Sequence, residues 1–482
     1  MLTTDGRAAR GPLLALLGVA GAVGSFGVVL AGASVGSIPR PHSYRWWLHL
    51  GGLSHDRGYL VLYAALGVLT LSWIGVGVVA RAGELTVRRA WALLALWATP
   101  LFVGAPLFSR DVYSYVAGGV LARRGYNPYV ASPHHLAGGP LYASIAQVWR
   151  HSPSPYGPLF ELASRVTAMA AGHSLMVQVI AFRALELIGV ATLMVVLPRL
   201  ARHFGADPGV ALWLGVLSPL GLMSAVSSAH NDTLMLALMA VGLLFATGRH
   251  RASAAAFFAL AATFKLPALA GLLVLYAVPW RGADVRIRLR LAGEAVVVTV
   301  AVFVGATGLA GYGWRWLSPS ALTIPTELHV LITPVVAVGV LVASSVHALG
   351  DHAPTRSVVT LIQHVGEVLA LVGIVVVVLR TRADSVVRGL GVILLVVVWL
   401  SPTVWPWYFW WGLAALAVTG AQRSTFLALI AGAAMLLVGP GGSPMIAGDG
   451  FFVAGPLVIL AAVWFLTSGK WRPVLAGVDR VG

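Results

Sequence analysis

The chain has 482 residues, 59% of them hydrophobic and only 10% charged, with 32 Lys and Arg against 16 Asp and Glu and a formal charge of +16. So little charge excludes a water-soluble domain, and the lack of any cysteine excludes disulfides and thiolate metal sites. The positive balance is not a nucleic-acid signature, because the arginines cluster in short loops between apolar runs, where they fix the orientation of a membrane protein.

Arg7 and Arg10 precede an apolar run from Pro12 that is long for a cleaved signal peptide and reads as a signal anchor. Further apolar runs follow along the whole chain. Spans are predicted near 11–33, 58–80, 89–108, 174–198, 209–226, 232–248, 252–264, 266–280, 291–310, 357–379, 388–401, 407–420, 424–440 and 451–467. That makes an all-α polytopic membrane protein of roughly 13–14 crossings, not a β-barrel, whose strands would alternate in short segments. The stretches 157–172 and 331–349 read as re-entrant or interfacial. The short spans around Lys265 fit either two crossings or one re-entrant hairpin. With the N-terminus in the cytoplasm, alternation leaves most basic residues on the inside and both termini cytoplasmic. Residues 1–482 form a single transmembrane domain with no internal repeat, in which 1–88 supply N-terminal spans, 109–156 a large external loop and 401–411 an external aromatic turn.

The 109–156 loop opens on Ser109-Arg110-Asp111-Val112-Tyr113-Ser114-Tyr115. An amphipathic helix is predicted from Val112 to Arg124, with Asp111 placed to cap it and Gly125 to close it. Asn127-Pro128-Tyr129 then turns the chain. The segment Ser152-Pro153-Ser154-Pro155-Tyr156-Gly157-Pro158 leads back to the membrane.

Five features fall on the same external face in this topology: Arg110-Asp111, His230-Asn231-Asp232, Lys265-Leu266-Pro267, Trp314-Arg315-Trp316, and Ser401 to Tyr408. Ionisable groups at membrane depth are costly and face a cavity or a partner. Asp111 fits a general base that takes a proton from an attacking hydroxyl, and equally a helix N-cap; one residue can do both. Lys265, one of only two lysines, fits a phosphate contact, a snorkelling side chain or a structural pair with an acid such as Asp232. His230 and Asp232 provide two metal-ligand types with no convincing third, so no metal site is expected. Asn231-Asp232 also fits a cap for the next span. Trp405, Trp407 and Tyr408 fit a sugar-stacking platform or an interfacial aromatic belt. Arg315 fits a phosphate clamp between two tryptophans, and the arginines of 281–290 suit anionic lipid headgroups. No nucleotide-binding glycine-rich loop is present, so nucleotide-driven chemistry is not expected and no cofactor is assigned.

On Arg110 to Tyr115, Gly125-Tyr126-Asn127-Pro128-Tyr129, Ser154 to Pro158, Ser218-Pro219 with His230-Asn231-Asp232, and Trp405-Pro406-Trp407-Tyr408, the chain resembles the GT-C class of integral-membrane glycosyltransferases. Within that class it is most similar to the actinobacterial polyprenol-phosphate-mannose-dependent α-(1→6)-mannosyltransferases of lipomannan synthesis. The resemblance implies the GT-C fold in the plasma membrane, a polyprenyl-phosphate-mannose donor, a lipid-anchored mannan acceptor, an inverting transfer at the external face and Asp111 as the base. On this reading Lys265, Arg315, Arg110 and His230 surround the donor phosphate. Tyr113, Tyr115, Asn127, Tyr156, Asn231, Asp232, Trp405, Trp407 and Tyr408 would contact substrate. Two other readings stay open: an arabinosyltransferase using polyprenyl-phosphate-arabinose, and a lipid-linked-sugar flippase or transporter. The second would show repeated halves with broken helices meeting at the midplane.

Overall fold

The computed structural model describes residues 4–36, 52–318, 333–350 and 353–420, and these are helical throughout apart from turns and loops. The predicted spans 424–440 and 451–467 lie outside the described residues. Among the described residues, six helices are long and apolar enough to cross a membrane: Gly11–Val35, His55–Arg81, Leu175–His203, Val285–Ala310, Thr355–Arg380 and Ala383–Leu400. A seventh arises if Pro208–Gly215 and Pro219–Ser227, bent by 54°, are taken as one broken span.

Among the described residues, other predicted crossings form helices as short as their predicted lengths. Asp232–Thr247 has 16 residues and Arg251–Ala262 has 12. At 1.5 Å per residue, a 16-residue helix reaches only ~24 Å of the ~30 Å hydrocarbon core. The stretch read as 157–172 forms the 13-residue helix Pro158–Ala170, and that read as 331–349 contains the 15-residue helix Pro334–Ala348. Val285–Ala310 and Thr355–Arg380 expose most of their apolar side chains, including Leu289, Val297, Leu309, Leu361 and Leu371. Such a band would be an aggregation hazard in water and is the expected outer surface in lipid. The protein is an all-α polytopic membrane protein.

The chain folds as two compact units. The first comprises Met1–Ile324, Val375–Leu395 and Pro406–Ser443; the second comprises Pro325–Ile374, Val396–Trp405 and Pro444–Gly482. In the second unit Val404 donates its backbone N–H to the Thr333 hydroxyl at 2.9 Å, and the Gln363 amide donates to the Pro402 carbonyl at 3.0 Å.

In the first unit, Trp73 and Trp213 each donate an indole N–H to the other's carbonyl, at 2.9 and 2.7 Å, with their rings 5.2 Å apart. This joins the second span to the broken one. Arg183, fully buried in Leu175–His203, donates to the carbonyls of Phe102, Gly104 and Ser227. Ser228 donates to the Leu107 carbonyl at 2.6 Å. Together they fasten the chain ahead of Asp111 to the end of the broken span. Phe108 and Ala229, with φ of 64° and 55°, take the left-handed conformation beside these fastenings. Each costs on the order of 1–3 kcal/mol and persists only because its surroundings fix it.

Asp111–Arg123 ends as predicted: Gly125 has a φ of 85°, and Tyr126 N–H reaches the Leu121 carbonyl at 3.0 Å while Gly125 N–H reaches Ala122. This is the Schellman arrangement that a glycine permits. Gly119 lets the helix lie flush on Pro158–Ala170, since a Cβ there would fall 2.2 Å from the Ser164 carbonyl oxygen.

Candidate functional site

Asp111 is the first residue of its helix and does not cap it. The N-cap position belongs to Arg110, and no side chain there accepts a hydrogen bond. The capping role expected from sequence is therefore corrected: Asp111 Oδ1 instead accepts the Trp149 indole N–H at 3.1 Å, and its own backbone N–H donates to the Ser109 hydroxyl at 3.0 Å. Asn231 likewise occupies an N-cap position without making a side-chain cap. Both polar groups are thus spent on something other than ending helices.

Four of the five sequence features contribute side chains to one buried cluster. His230 Nδ1 lies 3.6 Å from Asp111 Oδ2, and its ring stacks on Trp407 with centroids 3.8 Å apart. Asp232 Oδ1 takes two donors, the Lys265 ammonium at 2.8 Å and the Trp411 indole N–H at 2.6 Å. The same ammonium stands 4.2 Å from the Tyr408 ring centroid and 5.0 Å from that of Trp411. Tyr115 donates its hydroxyl to Asn231 Oδ1 at 3.4 Å and packs edge-on to Tyr156. Backbone fit sets this convergence. Gly157 N–H donates to the Phe264 carbonyl at 3.3 Å, and a Cβ at Gly157 would collide with Thr263. The Pro155-Tyr156-Gly157 turn therefore docks directly beside Lys265.

Burial pushes the Asp111 carboxyl up to about 6; Lys265 and the Trp149 hydrogen bond pull it partly back, and Asp232 adds to the rise. Burial, with the nearby Lys265 charge, holds the His230 imidazole well below its ordinary range, so the ring is neutral at pH 7. A carboxylate poised close to neutrality, next to a neutral imidazole and an ammonium, is suited to proton abstraction near an anionic leaving group.

Arg315 is exposed on the Trp314–Leu317 turn and makes no side-chain bond to this cluster, whereas Trp316 is buried and donates to the Thr307 hydroxyl at 3.1 Å. Asn127 spends its side chain on the protein: its Nδ2 donates to the Tyr312 carbonyl at 2.9 Å and its Oδ1 accepts from Tyr129 N–H at 3.0 Å. Tyr113 is fully buried with its hydroxyl unpartnered, Arg110 is half-buried, and Trp405 belongs to the second unit. Among the described residues no three His, Asp or Glu side chains gather as a metal site.

Sequence reasoning missed Trp149 and Trp411, the two indoles that hold the carboxylates. Trp411 stood within an aromatic run that was visible; Trp149 lies 38 residues from Asp111, and nothing in its spacing marks it. A shallow cleft with about 30 Å³ open to water lies between Tyr115, Trp149 and Tyr156, next to the Trp149 indole that holds Asp111.

Known proteins agree on one identity. The profile of the alpha-(1->6)-mannopyranosyltransferase N-terminal domain matches residues 18–282, and that of the MptB C-terminal domain matches residues 333–468. Alpha-(1->6)-mannopyranosyltransferase A of Mycobacterium tuberculosis is 32% identical over 89% of this chain and 85% of its own length. Two proteins of Corynebacterium glutamicum, alpha-(1->6)-mannopyranosyltransferases A and B, are each 28% identical, covering 64% and 74% of this chain and 66% and 65% of their own lengths. No solved structure matches. The chain belongs to the alpha-(1->6)-mannopyranosyltransferase family.

Proposed function

We propose that this member of the family transfers mannose from polyprenyl-phosphate-mannose to a lipid-anchored mannan, forming an α-(1→6) bond with inversion at the external face of the plasma membrane. The observation that carries the reading is the convergence of Asp111, His230, Asp232, Lys265, Trp407 and Tyr408 in one buried cluster. Asp111 takes the proton from the acceptor hydroxyl. Lys265, fixed by Asp232 and two aromatic rings, faces the charge that builds on the departing lipid phosphate. Trp407 and Tyr408 offer ring faces to the sugar, and His230 holds its place between Asp111 and Trp407. Radiolabelled polyprenyl-phosphate-mannose with an oligomannoside acceptor, followed by linkage analysis of the product, tests this directly. Label arriving from polyprenyl-phosphate-arabinose instead would reassign the donor.

The base works ionised, so kcat/KM is expected to fall as pH drops below about 6 and to level off above it. Trp149 favours the ionised form through its hydrogen bond. Trp149→Phe should therefore move the acid limb to higher pH; a limb that stays put would detach it from Asp111.

The external placement rests on the arginine bias of the loops. In a chain without native cysteine, a cysteine replacing Ser132 should react with an impermeant thiol reagent in intact spheroplasts. Labelling only after lysis would invert the topology. Ser443, the matching position after the last aromatic turn, lies outside the described residues.

A further inference from the structure

Beyond the reacting centre, the cleft continues along the Asp111 helix. Asp111, Ser114, Tyr115, Gly118 and Leu121 fall on one helix face, and the last four line the cleft. Gly118 stands seven residues past Asp111, ~10 Å along the axis at 1.5 Å per residue. Glu161 waits there from the facing helix: a Cβ on Gly118 would come within 3.1 Å of Glu161 Oε2. Glu161 therefore meets the cleft about two helical turns along from Asp111.

Glu161 is only 2% exposed, yet it lines the cleft. The Ser154 hydroxyl donates to Oε1 at 2.5 Å, whereas Oε2 has no hydrogen-bond partner. The buried Ser114 hydroxyl, on the opposite wall, has none either. An unpaired buried polar group is destabilising, and two beside one cleft point to a ligand rich in hydroxyls. Trp149 and Tyr156 add aromatic walls of the kind on which pyranose rings stack. A carboxyl disfavours an anionic lipid phosphate, and the cationic Lys265 sits with Asp232 and Tyr408 instead.

We infer that this cleft is an acceptor subsite, in which Glu161 and Ser114 bind the sugar residue next to the one that attacks, so that the enzyme selects an acceptor of at least two sugars. The inference rests on the mannosyl-transfer reading and deepens it. Gly118 leaves room for the Glu161 carboxyl, in contrast to Gly119, whose missing Cβ serves helix packing against Ser164.

The test uses the full chain in detergent, polyprenyl-phosphate-mannose as donor, and two acceptors, octyl α-mannoside and octyl α-(1→6)-mannobioside. The wild type is expected to prefer the bioside in kcat/KM. Glu161→Gln should lower that preference at least tenfold, chiefly through a higher KM for the bioside, and Glu161→Ala should lower it further. Gly118→Ala, which crowds the same space from the other wall, should lower it too and serves as the probe if the Glu161 variants do not fold. An unaltered preference in the folded variants, or a wild type that does not distinguish the acceptors, overturns the subsite. A wild type that moves mannose onto neither acceptor instead refutes the mannosyl-transfer reading.

Discussion

Asp111→Asn is expected to abolish measurable transfer while leaving a protein that is as stable as the wild type or more so. The catalytic loss follows from removing the base, a contribution of about 10²–10⁴-fold in rate. Asparagine keeps an oxygen for the Trp149 indole, so the hydrogen bond that orients the side chain survives. Stability follows from the direction of the titration. Burial raises the carboxyl from 3.8 to about 6. Folding is therefore favoured where Asp111 is protonated, and that advantage is lost as pH rises through about 6. At neutral pH the buried charge costs on the order of 1–3 kcal/mol, which the neutral amide avoids. Turnover by label transfer and thermal unfolding in detergent, measured on the same preparation, check both halves. A folded variant with wild-type turnover would remove Asp111 from the mechanism, and a clear fall in melting temperature would refute the uncompensated buried charge.

Lys265→Met is expected to cost about 2–4 kcal/mol of transition-state stabilisation, roughly 30- to 1000-fold in rate, with normal amounts of folded protein only when Asp232 is changed as well. The single variant strands a fully buried carboxylate, which is destabilising by about 3–5 kcal/mol. The double variant Lys265→Met with Asp232→Asn restores a neutral interior and keeps an acceptor for the Trp411 indole. Folding should recover and transfer should not. Arg315→Gln, on an exposed turn away from the cluster, is the comparison and should cost far less. Normal donor kinetics in the double variant would move the phosphate away from Lys265, with Arg110 next to be tested.

The sequence made the class of protein and the identity of the outlying polar residues readable, because an ionisable residue among apolar ones is rare and costly. Asp111, His230, Asp232 and Lys265 could be named individually for that reason. Their partners could be read only in part. The Lys265–Asp232 pair was one of three readings that sequence left standing, and the structure forms it at 2.8 Å. Trp149 was invisible, since a tryptophan in a loop between helices looks the same whether it holds a carboxylate or faces lipid. Glu161 was hidden for a related reason: at the start of an apolar helix, an acidic residue reads as an ordinary first-turn charge. Hydropathy located the apolar segments but not the breaks inside them. Residues 209–226 are apolar throughout, yet Ser218-Pro219 breaks them with a 54° bend, and the π-helical turn Met223–Ser227 follows. Hydropathy measures solvent preference and is blind to a proline's missing N–H.

The arginine that fastens the broken span also constrains how the protein is made. An arginine at the centre of a lone helix raises its insertion free energy by about 2.5–3.5 kcal/mol. Two of the carbonyls that receive Arg183, at Phe102 and Gly104, leave the ribosome before it, and the third, at Ser227, leaves after it. The Leu175–His203 helix therefore enters the bilayer with its guanidinium already supplied from one side and still owed from the other. It must stay beside the earlier helices, sheltered from lipid, until the segment ending at Ser227 is synthesised. Biogenesis of this region is thus a concerted event over some hundred residues of nascent chain, not the release of one finished helix at a time.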